Sequence, residues 1–232
     1  MNRATNVYAF TQVGEPRPYC GGMRKVPWWA LLSAAMAPVF LVGGWTLAAA
    51  LQPAGYNPVR DTISALAGLG AADRWVMTIG LAALGICHLV TALGLRPAAG
   101  VGRLFLVVGG LATVLVAVFP VPRSGTSDIH RVVAGIGFAT LTLWPALACR
   151  RGRPLPWGLR PLVSIVAATV LLGLLAWFTV ELSAEGVRIG LTERLLAGSQ
   201  ALWPLVVVLT ARRSGRSAST TTPRTPAEPT PV

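Results

Sequence analysis

Six long apolar runs govern what this chain can become. They cover about Trp28–Leu51, Trp75–Leu95, Leu104–Phe119, Val132–Cys149, Leu162–Leu182 and Leu195–Ala211. A helix rises ~1.5 Å per residue and the hydrocarbon core of a bilayer is ~30 Å thick, so about 20 apolar residues cross it. The third and sixth runs are short by that measure, but all six sit in one chain and are separated by short polar segments. Only 12% of the 232 residues are charged, against 53% hydrophobic. A water-soluble domain carries about twice that share of charge. Within lipid, backbone polar groups must bond inside their own segment, which makes each run a helix. The expected fold class is therefore all-α: a polytopic membrane helix bundle with six transmembrane helices, arranged as three hairpins.

Charge placement orients the bundle. With the N-terminus inside, the inner segments hold 14 basic and 2 acidic residues and the outer loops hold 6 of each. The entire net charge of +12 then lies on one face. That is the positive-inside pattern, and it puts both termini in the cytoplasm of a plasma-membrane protein. The basic residues fall in short clusters between apolar runs, not on one patch, which argues against nucleic acid as a partner. Membrane lipids are the partners expected, and protein partners are left open. The first run exceeds the 7–15 apolar residues of a signal peptide and is read as a retained anchor. Residues 1–27 form a cytoplasmic tail, 28–211 the membrane domain, and 212–232 a Ser/Thr/Pro-rich tail too polar to order itself. Cys20, Cys87 and Cys149 lack framework spacing and are read as small packing residues.

The outer loops carry the chemistry. The first reads Tyr56-Asn57-Pro58-Val59-Arg60-Asp61-Thr62-Ile63-Ser64-Ala65-Leu66. Asn57 suits an N-cap and Pro58 the first helical position, which predicts a short amphipathic helix on the surface with Val59, Ile63 and Leu66 on its apolar face. In the second loop, Ser127 or Asp128 is placed to cap the fourth helix, with His130 in its first turn. In the third loop, Glu181 ends an apolar run, where a charge needs a partner; Arg188 and Arg194 are the candidates. Glu185 and Glu193 are read as solvated. A weak repeat links Asp61, Ala67-Gly68 and Gly70 to Asp128, Ala134-Gly135 and Gly137, with Ala197-Gly198 in the third pair.

Inside the bilayer, His88 is the strongest polar feature, expected to bond a backbone carbonyl or a neighbouring hydroxyl. Thr91, Thr113, Thr142 and Gln200 are among the side chains offering hydrogen bonds between helices. Small residues spaced by four, Ala30/Ala34 and Gly135/Ala139, permit close helix approach. Pro38, Pro145 and Pro204 are expected to kink their helices.

These residues limit the functional classes. His88 lies ~21 Å below the outer end of its helix and His130 at the surface, so the two cannot share a haem iron. Two distant histidines are a poor start for a metal site, and no metal or cofactor is expected. Asp61, Ser64, Asp128 and His130 are the candidates for outer-face catalysis, without the Gly-x-Ser-x-Gly elbow of a serine hydrolase. Arg60, Arg131, Glu181 and His88 are the candidates for ligand binding. The balance is against an enzyme. The reading is a membrane-embedded binding or accessory protein with a polar outer face. Its alternative is an outer-face enzyme or small transporter acting on a lipidic or small apolar substrate.

The stretch Asn57 to Leu66, followed by Asp73-Arg74-Trp75 opening a helix, resembles the bacterial membrane family known as domain of unknown function 998. Phe119-Pro120 through Asp128-Ile129-His130 resembles that family's second outer loop, with Ile129 where the family often carries Gly. The resemblance covers about residues 28–211. It implies a six-helix membrane protein and carries no catalytic role, and it marks Asp61, Ser64, Asp128 and His130 as the first places to look for an outer site.

Overall fold

The computed structural model describes residues 25–125, 127–152 and 155–217. Among them, six helices are long and apolar enough to cross a membrane: α1 (Trp28–Ala50), α3 (Trp75–Gly94), α4 (Gly100–Val118), α5 (Asp128–Ala148), α6 (Pro161–Ser183) and α7 (Ile189–Ser217). A four-residue helix, α2 (Ile63–Leu66), lies between α1 and α3, and a 3-10 turn at Trp157–Leu159 precedes α6. The protein is a polytopic helical bundle, as the apolar runs require. Cys20 and most of both expected tails lie outside the described residues.

The helices form a ring in chain order. Each packs against the next, and α7 closes on α1. The helix α3 packs on α4 about as extensively as on α1, so the contacts by themselves do not divide the bundle into three hairpins. Its two ends have distinct cores. Val26, Leu95, Ala98, Ala148, Leu159 and Ala211 cluster at one end. Ala48, Ile63, Leu66, Ala67, Met77 and Ala117 cluster at the other, around α2. The linkers at the first end are tied by backbone bonds, Ala99 N–H to the Ala148 carbonyl (3.0 Å) and Arg150 N–H to the Leu159 carbonyl (3.1 Å). Arg212 adds a bond from its guanidinium to the Val26 carbonyl at 2.7 Å, which joins the last helix to the segment leading into the first.

Small residues set the helix spacing. A Cβ at Gly94 would stand 2.3 Å from that of Ala30, and one at Gly102 only 2.3 Å from the Ala148 backbone. Gly85 and Gly110 likewise bring α3 and α4 into backbone contact. Ala30 and Ala34 are fully buried at the α1 interface. Gly135, expected to serve the same purpose, faces open space. The suggested repeat also dissolves: Ala67-Gly68 follows the short α2, whereas Ala134-Gly135 lies inside α5. Hydrogen bonds between helices come from Ser33 and Thr91 on α1 and α3, and from Gln200 of α7 to Phe138 and Thr142 of α5. Thr113 instead bonds the Gly109 carbonyl of its own helix.

The first loop departs from expectation. Asn57 does open a turn, its side chain accepting from Val59 N–H and its carbonyl from Arg60 and Asp61. The helix does not continue from Pro58. It starts again at Ile63, capped by the Thr62 hydroxyl, which accepts from Ala65 N–H. Ile63 and Leu66 are buried in the bundle, so α2 is a plug between helices and not a surface float. At 29 residues α7 is ~43 Å long, longer than the hydrocarbon is thick. It begins six residues before the apolar run does, which places Glu193 and Arg194 within it.

Candidate functional site

Glu193 and Arg194, adjacent on α7, reach opposite sides of the first loop. Glu193 is buried, at 3% exposure, which corrects its reading as a solvated residue. Its carboxylate accepts the backbone N–H of Ile63 and, at 3.1 Å, the Ser64 hydroxyl. A carboxylate at this point also suits the positive end of α2. The Arg194 guanidinium donates to the carbonyls of Pro58 and Asp61, each at 2.7 Å, and to the Tyr56 hydroxyl. Burial pushes the Tyr56 hydroxyl above its ordinary pKa, against the pull of the arginine. Leu191 N–H bonds the Val59 carbonyl at 3.0 Å. Gly190 makes this docking possible, because a Cβ there would fall 2.3 Å from the Asp61 carbonyl oxygen.

Beneath α2 lies a cavity of about 60 Å³. Ile63 and Ser64 roof it, and α1, α3, α4, α5 and α7 supply its walls through residues that include Leu41, Leu84, Val116, Phe138 and Leu141. Most of the lining is apolar. The polar groups on it are Ser64, Glu193, Thr113, His88 and Gln200. Gln200 lies seven residues beyond Glu193, ~10 Å deeper along α7. The row therefore runs from the α2 end toward the middle of the bundle.

His88 is the unusual member of that row. Its Nδ1 is 2.8 Å from the Leu84 carbonyl, which makes Nδ1–H the donor and leaves Nε2 as an acceptor. Nε2 is buried and has no hydrogen-bond partner among the described residues; the Gln200 backbone is within electrostatic reach, without hydrogen-bond geometry. A polar atom left unpaired in an apolar interior costs about 1–3 kcal/mol.

The residues singled out from the sequence go to several places. Ser64 joins Glu193. Asp61 accepts from Asn57 N–H at 2.6 Å and so stabilises its own turn. Asp128 pairs with Arg131 on the exposed first turn of α5. Ser127 is that helix's cap. His130 is buried, with Nδ1 at 2.8 Å from the Phe119 carbonyl, and ties α5 to the end of α4. None of the four outer candidates, Asp61, Ser64, Asp128 and His130, hydrogen-bonds another. Arg60 is exposed. Glu181 accepts from the backbone N–H of Arg188 at 3.1 Å and not from either guanidinium. His88 alone of the binding candidates lines the cavity. Among the described residues no group of three or more His, Cys, Asp and Glu side chains is placed to hold a metal ion.

Sequence reasoning missed Glu193 because its charge ended the apolar run. A usable signal was present, since Glu193, Ala197, Gln200 and Ala201 share one helical face by their spacing. The model of a protein family described as "Protein of unknown function (DUF998)" matches residues 34–210. The chain belongs to this family. The match takes in α2 to α6, most of α1 and α7, and every residue that lines the cavity. The DUF998 assignment brings no activity with it. Comparisons with curated proteins and with solved structures each return no match.

Proposed function

We infer that this DUF998 protein is a membrane-embedded binding protein whose interhelical cavity takes a small, mainly apolar molecule through one hydrogen-bonding group. One observation carries the reading: His88, whose Nε2 has no hydrogen-bond partner among the described residues, is one of the residues that line the cavity, so that a small turn of its ring presents Nε2 to a guest. A guest that donates a hydrogen bond there recovers the cost of the orphaned acceptor, while its apolar part meets Leu84, Val116 and Leu141. Glu193 and Ser64 offer a second polar contact at the roof. At about 60 Å³ the cavity has room for roughly four waters on the scale of one probe sphere each. A guest of more than a few heavy atoms requires α2 to lift from its contacts with α1, α3 and α7. The face bearing α2 is read as extracytoplasmic, because the excess arginines sit at the opposite end.

The test is extraction. Protein purified in mild detergent is extracted with organic solvent, and the extract is compared by mass spectrometry with that of Ala197→Leu, which fills the cavity from α7. A species present in stoichiometric amount in the first and depleted in the second is the expected result. Extracts that match, at equal helicity of the two proteins, would overturn the reading and leave the cavity to water. Reporter fusions at Val232 and in the loop at Ser124 check the orientation separately; the first should report from inside and the second from outside.

A further inference from the structure

On the outside of the bundle, between α6 and α7, an apolar groove of about 430 Å³ opens toward the bilayer. Leu162, Val166 and Val170 form one wall along α6, and Ser199 and Trp203 the other along α7, with Trp157 at the mouth. From Leu162 to Leu171 the groove runs nine residues, or ~14 Å. That is about half the ~30 Å hydrocarbon thickness, the depth of a single leaflet. The mouth lies at the arginine-rich end. Trp157 is half-exposed there, as expected of a ring at the headgroup boundary. The bond from Arg150 N–H to the Leu159 carbonyl brings the two neighbouring residues, Arg151 and Arg160, to the same edge. Both are exposed. Their situation differs from that of Arg103, Arg150 and Arg212, whose guanidiniums bond carbonyl oxygens at this end.

We propose that this groove is a binding site for an anionic phospholipid, with one acyl chain lying between α6 and α7 and the phosphate held by Arg160 and Arg151. Length, polarity and charge agree on that occupant. An acyl chain fits a leaflet-deep apolar slot, and an anionic headgroup then falls where two uncommitted guanidiniums stand. A zwitterionic lipid fills the slot equally well but gains little from the arginines. The site is separate from the interhelical cavity and does not depend on its occupancy.

Lipids with brominated acyl chains quench tryptophan on contact, which gives a direct test. The full-length protein is reconstituted in phosphatidylcholine vesicles containing a minor share of brominated lipid, bearing either a phosphatidylglycerol or a phosphatidylcholine headgroup. The difference between the wild type and Trp203→Phe isolates the groove's signal. The expected result is a preference for the brominated phosphatidylglycerol of about fivefold per arginine, the scale of one basic residue's attraction to an anionic surface. Arg160→Gln should lower it by about that factor, and adding Arg151→Gln should abolish it. If Trp203→Phe fails to fold, Val166→Phe, on an exposed side chain that fills the slot, should weaken quenching by the anionic lipid. Equal quenching by the two lipids, or a preference unmoved by the arginine variants, would reduce the groove to a place where any annular lipid rests.

Discussion

The carboxylate of Glu193 accepts the backbone N–H of Ile63 across 130 positions of chain, and together with the bond from the Ser64 hydroxyl it joins the roof of the cavity to its wall. Replacing Glu193 with Ala leaves that N–H, and the Ser64 hydroxyl, facing an apolar interior. We expect a loss of about 1–3 kcal/mol in stability. Glu193→Gln keeps an acceptor for Ile63 and should lose less. Thermal unfolding in detergent checks the order, and a Gln variant as weak as the Ala variant would show that the charge, not the hydrogen bond, holds α2.

Arg194 grips the other side of the same loop through its planar fork. Lysine carries the charge but cannot reach the carbonyls of Pro58 and Asp61 and the Tyr56 hydroxyl together. Arg194→Lys should therefore loosen residues 57–64 while leaving the helices intact. Hydrogen exchange gives the readout: protection at Asp61 and Ile63 should fall about tenfold or more, with exchange in α3 and α4 unchanged, since local opening draws on few buried contacts.

How far the fold was legible follows from these two residues. Hydrophobicity located all six spans, because lipid solvation acts on every residue of a run at once. It placed three helix starts late, each where a charge lies in the first turns. Arg103, the Asp128–Arg131 pair and the Glu193-Arg194 pair all lie inside helices whose apolar runs start later. A backbone continues its hydrogen-bond ladder through a charged turn when that turn is at the interface or has a partner. The partner of Glu193 is a backbone group, which no side-chain pattern records. His88 was visible as an oddity because no other histidine lies so deep, and its bond to a carbonyl was the ordinary expectation. The unpaired second nitrogen is a fact of packing, set by which helices meet around it.

That nitrogen supplies a prediction of opposite sign to most. His88→Leu removes a buried polar atom without a partner and keeps an apolar side chain of comparable size. In protein stripped of small molecules, the variant should be more stable than the wild type by about 1 kcal/mol, or roughly 2–4 °C in the unfolding midpoint for a domain of this length. It should also no longer retain the species extracted from the wild type. Sites kept for binding are often held at such a cost to stability. A variant less stable than the wild type would mean that a water or another group already satisfies Nε2.

The glycines separate packing from propensity in a single helix pair. Gly102 of α4 lies against the backbone of Ala148 in α5, and that backbone cannot yield as a side-chain tip would. Gly102→Ala must therefore push α4 and α5 apart, opening the core around Leu106 and Trp144, both fully buried. Overpacking of this kind costs typically 1–3 kcal/mol and more where backbone is displaced. Gly135 of α5 is also helical but has nothing within 4 Å of where its Cβ would stand. Gly135→Ala should raise stability by up to about 1 kcal/mol through helix propensity alone. Yield of monodisperse protein and unfolding midpoint, measured side by side, should move in opposite directions for the two variants. If both move down, the space beside Gly135 is filled in the membrane by something that this chain alone does not supply.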